Sequence, residues 1–264
     1  MNNFLNTEDL FPQKNMIYAQ RKRILLAFVV NLIVLSTPLS RFIASYYNIA
    51  VHELGHAVFG WLAGYPAIPA FNFVHGGGVT FTMSRSIIVS VCIYTGLLFF
   101  YYKVIQLNKG LISLKNILIF IAFSLFFFIE PLHRSVAIFM GEGMSVLVGL
   151  ICCYLGLSHY VKRPQYEKNI LLWLGVFLWC HVCKFCYGLY FDSAYRERYM
   201  SDPSSGITND FVKLSQMSGW PITVFVFLLI VFLIFSGFVL IKAIRYPDNL
   251  LAKWIEDFRK IMGI

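Results

Sequence analysis

Phe42-Ile43-Ala44-Ser45-Tyr46-Tyr47-Asn48-Ile49-Ala50-Val51-His52-Glu53-Leu54-Gly55-His56-Ala57-Val58-Phe59-Gly60-Trp61-Leu62-Ala63-Gly64 is an apolar run with two imidazoles and one carboxylate at its centre. A helix of this length can cross about 30 Å of hydrocarbon. Positions i and i+4 of a helix lie one above the other, so His52 and His56 can grip one metal ion together. Glu53 is turned by about 100° from His52, at about 3.6 residues per turn, and stands beside such an ion rather than on it. These side chains are costly in an apolar helix unless they bind or pair. Gly55 removes a side chain between the histidines, so a neighbouring helix or a substrate can come close.

The rest of the chain agrees that the run lies in a membrane. Of 264 residues, 58% are hydrophobic and 13% charged, and the mean hydropathy is +0.68. That excludes an ordinary soluble domain. We expect an all-α, multi-pass integral membrane protein of one domain with six to eight apolar segments in the lipid bilayer. The runs lie at about 24–40, 42–64, 86–107, 113–130, 135–157, 169–191 and 219–244. A polar, basic head (1–23) precedes the transmembrane domain (24–247), and an amphipathic tail (248–264) follows it. The head is long for a signal-peptide n-region, so no cleavage is expected.

The formal charge of +9 sits at the ends of apolar runs, as cytoplasmic anchoring requires, and excludes a nucleic-acid partner. Lys103, Lys109, Lys115, Lys162, Arg163, Lys168, Lys242 and Arg245 place their links inside, with 192–218 and the turn at Arg134 outside. The basic head also wants to be inside. Either the 66–84 segment crosses, or one early run does not, or the head breaks the rule. The short chain and the absence of organelle signals point to a bacterial inner membrane. Cys180, Cys183 and Cys186 drift around one helix with His181 among them and read as small buried hydrophobes.

Pro66 and Pro69 end the motif helix. Phe71 to Thr82 then alternates like a strand, interrupted by Gly76, Gly77 and Gly78. Non-helical backbone at membrane depth survives only against protein or a wet cavity. The stretch is therefore expected to be a re-entrant loop or short hairpin that lines the site and offers backbone groups to an extended substrate.

His52-Glu53-Leu54-Gly55-His56 is the H-E-x-x-H pattern of zinc hydrolases: two metal ligands from one helix, and a carboxylate placed as general base for a water. Catalytic zinc takes a third protein ligand. Glu142, between Gly141 and Gly143 in the middle of an apolar run, is the expected one, because a carboxylate there is costly without a partner. His133, Asp210 and Asp248 are rivals. Asp210 also reads as a helix cap, and Asp202 reads as loop chemistry. His75 or His133 can serve as an oxyanion donor.

An H-E-x-G-H sequence in a membrane helix, followed by a Gly-containing segment, resembles the site-2 protease family of intramembrane zinc metalloproteases. The likeness covers residues 42–82. It implies Zn2+ held by His52, His56 and a distant carboxylate, Glu53 activating water, and membrane-protein substrates cut in or near their spans. That family supplies its third ligand from an Asp-Gly pair in a later span, and no Asp-Gly occurs in this chain. Two other readings remain. The chain also resembles membrane metalloproteases that process prenylated proteins, with Glu142 as their downstream Glu. A non-catalytic metal-binding membrane protein (a transporter, sensor or assembly factor) would need more polar residues along its spans than these carry.

Overall fold

The computed structural model describes residues 10–72, 77–107, 129–158, 163–201 and 209–245. Helix α1 (Leu10–Ser36) runs into α2 (Pro38–Leu62), which carries the motif. The two are bent by 112°. Pro38 lies at the start of α2, behind an extended Thr37, and has no N–H to continue α1. Ser40 Oγ instead donates to the Val34 carbonyl at 2.7 Å, satisfying one of the groups that the break exposes.

A hairpin follows α2. Gly64, at φ +85°, turns the chain. Strand β1 (Ala67–Asn72) then pairs antiparallel with β2 (Gly77–Thr82), Ala67 opposite Thr82 and Asn72 opposite Gly77. Trp61 Nε1 donates to the Ala67 carbonyl at 2.7 Å and ties β1 to the helix it leaves. Of the two expected forms for this stretch, the described residues adopt the hairpin. The remaining elements are α3 (Ile87–Leu107), α4 (Glu130–Leu157), α5 (Gln165–Phe191), two short helices α6 (Ser193–Ser201) and α7 (Asp210–Ser218), and α8 (Ile222–Arg245).

Among the described residues, α4, α5 and α8 are each long and apolar enough to cross a membrane, and the bent α1–α2 pair passes the same test together. Within α3, the apolar stretch that is described runs over Ile87–Phe99. The expected run at 113–130 falls almost wholly outside the described residues, and the tail from 248 does so entirely. Helix α1 begins at Leu10, within the polar head. Arg23 Nη2 donates to the Gly156 carbonyl at 2.7 Å, and Lys168 Nζ to the Ser158 carbonyl at 3.0 Å. Basic side chains thus close the C-terminal end of α4, where cations are favoured.

Helix α4 is the centre of the bundle, packed between α2, α5 and α8. Its core with α5, α7 and α8 is built on Val146, Val182, Phe211, Leu214 and Leu229, all nearly fully buried. The six cysteines are free thiols. Of the C-x-x-C-x-x-C set, expected to be buried, only Cys186 is: Cys180 is half-buried and Cys183 exposed, because the three positions drift around the helix.

Candidate metal centre

Two helices cross at a point where neither has a side chain in the way. A Cβ on Gly55 of α2 would collide with the Met140 carbonyl of α4. A Cβ on Gly141 of α4 would lie 2.6 Å from Cε1 and Nε2 of His56 and 2.7 Å from Cε1 of His52. Small residues at such a crossing let backbones approach closely. The imidazoles thereby lie directly against the α4 backbone.

That backbone sets the tautomers. His56 Nδ1 lies 2.8 Å from the Ala137 carbonyl oxygen, which can only accept, so Nδ1 carries the proton. His52 Nδ1 lies 3.3 Å from Glu142 Oε1, and the same reasoning applies. When neutral, both rings therefore present a bare Nε2 on the other side. There the two Nε2 atoms are 3.0 Å apart, and Asp210 Oδ2 is 2.9 Å from His52 Nε2 and 3.0 Å from His56 Nε2. Three lone pairs converge on a nearly equilateral triangle, an arrangement that needs positive charge in its midst. These three atoms would hold a divalent ion such as zinc, which would supply a Lewis acid at this point. The donor set fits zinc. Among the described residues this is the one group of His, Cys, Asp and Glu able to hold a metal ion.

Asp210 reaches this point because α7 is anchored beside it. Phe211 is 0% exposed. Its ring stacks on Phe139 at 6.1 Å and meets Phe185 edge-on at 5.4 Å. Asn209 Nδ2 donates to the Tyr199 carbonyl at 2.6 Å, and the Phe211 N–H donates to the Tyr199 hydroxyl at 3.3 Å.

The structure thus sets the two candidate carboxylates on opposite sides of His52. Asp210 faces the Nε2 atoms. Glu142 stands behind, on Nδ1, and its Oε2 is buried without a hydrogen-bond partner among the described residues. A carboxylate on the far nitrogen of a ligating histidine fixes ring orientation and raises basicity. His133 is 1% exposed and its Nε2 lies 3.2 Å from the Tyr65 hydroxyl, so its ring is turned into the wall. His75, Asp202 and Asp248 lie outside the described residues.

Glu53 is 6% exposed and faces the hairpin. The Thr80 hydroxyl donates to Glu53 Oε2 at 2.6 Å, and Gly78 leaves the room in which the Glu53 side chain lies. A cavity of about 890 Å³ is lined by His52, Glu53, His56, Thr80, Glu142 and Asp210, among others. Thr80, Ala137 and the Phe211 anchor carry no motif in the sequence. Their roles follow from contacts between distant segments.

The family model described as Peptidase M50B-like matches residues 24–242, a stretch that contains both the motif helix and Asp210. No curated protein and no solved structure matches the chain. With the match covering most of its length, the chain belongs to the Peptidase M50B-like family, the site-2 protease type of membrane peptidase.

Proposed function

We propose that the chain is an intramembrane zinc metalloprotease that hydrolyses peptide bonds in or near membrane-spanning segments of its substrates. The observation that carries this reading is the convergence of His52, His56 and Asp210 beside Glu53 in one cavity. Asp210 is the third ligand in this reading, and Glu142 positions His52. Zinc bound there supplies a Lewis acid that polarises the scissile carbonyl and acidifies a water. Glu53 takes the water's proton on its carboxylate and returns it to the leaving amine, with Thr80 fixing one carboxylate oxygen. Ala137 and Glu142 keep the imidazole protons off the metal side.

A helical substrate hides its carbonyls in its own hydrogen bonds and must unwind locally before cleavage. The hairpin beside Glu53 can hold the unwound stretch through main-chain pairing. In this reading the chain crosses the membrane six to eight times and works in a bacterial inner membrane.

The test is zinc per chain in detergent-purified wild type, His56→Ala, Asp210→Ala, Glu142→Ala and Glu53→Gln, with cleavage of a membrane-protein substrate alongside. Zinc should be lost in the first two variants and held about 10–100-fold more weakly in Glu142→Ala. Glu53→Gln should keep zinc and lose hydrolysis. Wild-type cleavage by Glu53→Gln would overturn the mechanism, and a wild type that never takes up zinc would overturn the metalloprotease.

A further inference from the structure

Among the described residues the cavity wall carries two cations that the chemistry above does not use, Lys213 and Arg134. Lys213 lies on α7, three residues after Asp210 and on the same helix face, and it lines the cavity with His52, Glu53, His56 and Asp210. Asp and Lys at this spacing commonly pair across one turn. Here the Asp210 carboxylate is turned to the imidazoles instead. Among the described residues no carboxylate lies within ion-pair distance of the Lys213 ammonium. The other cation on the cavity wall, Arg134, is already held by Glu130 at 2.7 Å and stacks over the Tyr65 ring at 5.7 Å.

The Lys213 ammonium shares a cavity with Glu53, Glu142 and Asp210, yet among the described residues it pairs with none of them, which leaves it available to an incoming anion. We propose that Lys213 binds the oxyanion formed on the scissile carbonyl, which makes it a catalytic residue of the peptidase reading on which this inference rests. The balance is simple. The water oxygen bonds to the carbonyl carbon, the carbonyl π pair moves onto its oxygen, and the proton goes to Glu53. The C–N bond then breaks, its electron pair stays on nitrogen, and Glu53 gives the proton to that nitrogen. Negative charge appears on one oxygen between these steps, in a cavity that already carries carboxylates. An ammonium on the cavity wall is the group that would stabilise it. Reach is sufficient: side chains three residues apart on a helix are rooted about 5–6 Å from each other, within the span of a four-carbon stem. His133 does not fill this role, because its buried ring is bonded to Tyr65.

The first measurement avoids catalysis. Full-length protein loaded with cobalt is titrated with inorganic phosphate, and the visible absorption of the metal reports binding. Wild type and Lys213→Arg should bind phosphate, and Lys213→Met and Lys213→Gln about tenfold or more weakly at equal metal content. In a cleavage assay, Lys213→Met should lower kcat by about 100-fold with KM nearly unchanged, and Lys213→Arg should restore part of the rate. Equal phosphate affinity in wild type and both neutral variants overturns the proposal. So does a rise in KM with kcat intact, confined to substrates with acidic side chains, which would make Lys213 a specificity residue. Phosphate binding that depends on Lys213, in a protein that never cleaves, overturns the peptidase reading and the oxyanion role and leaves an anion site. Hydrolysis indifferent to Lys213 leaves the peptidase reading intact and removes this one.

Discussion

The two sides of the metal centre are built by opposite means. On one side α2 and α4, both long, run against each other through a ladder of polar contacts. Ser145 Oγ donates to Asn48 Oδ1 at 3.2 Å, His52 meets Glu142, and His56 meets the Ala137 carbonyl. The rungs on α2 fall at every fourth residue, one face of the helix. On the other side stands α7, nine residues long, anchored by the buried side chains of Phe211 and Leu214 and by Asn209 and Tyr199. Long helices hold their side chains in place through many contacts. The short helix depends on a few.

The difference can be broken deliberately. The largest effect is expected from Gly141→Val, whose side chain would occupy the space of both imidazoles: metal analysis should find no zinc retained. Phe211→Ala attacks the other side. It should cost about 3–5 kcal/mol of stability, read by denaturant unfolding, and weaken zinc binding through loss of Asp210 while His52 and His56 keep their α4 contacts. Thr80→Val removes the hydroxyl from Glu53 and leaves both sides standing; kcat should fall severalfold, equivalent to about 1 kcal/mol, with zinc content unchanged. Ser145→Ala cuts one rung of the ladder. It should cost about 0.5–1 kcal/mol with zinc retained, because the glycine crossing holds the helices together without that rung. A larger loss of zinc in Ser145→Ala than in Phe211→Ala would reverse the comparison.

The same division governs what could be read in the amino-acid order. His52, Glu53 and His56 were legible because i, i+4 spacing is itself geometry. Gly55 and Gly141 were legible as places of close approach, and Pro66 and Pro69 as the end of the motif helix. Glu142 was legible as a costly carboxylate in an apolar run, but cost alone does not say which face of His52 it meets. Asp210 was one rival among three, since its position depends on Phe211 docking between Phe139 and Phe185, a contact between segments far apart in sequence. Lys213 drew no attention. A lysine after an Asp on a short polar helix looks like an ordinary surface pair until the Asp is seen facing elsewhere. The start of α1 is a related case: the helix begins at Leu10, within the polar head, and Arg23 meets the Gly156 carbonyl at the end of α4, a contact between distant segments.

Asp210 is the first residue of α7. The aligned peptide dipoles of a helix give its N-terminal end a partial positive charge, about half an elementary charge when they align fully. The carboxylate facing the imidazoles is therefore partly neutralised by its own backbone. In the peptidase reading, a donor so placed would give less electron density to a bound cation, which would keep more of its charge for a substrate carbonyl. The Lewis acidity of the centre would then be tuned by where a helix begins.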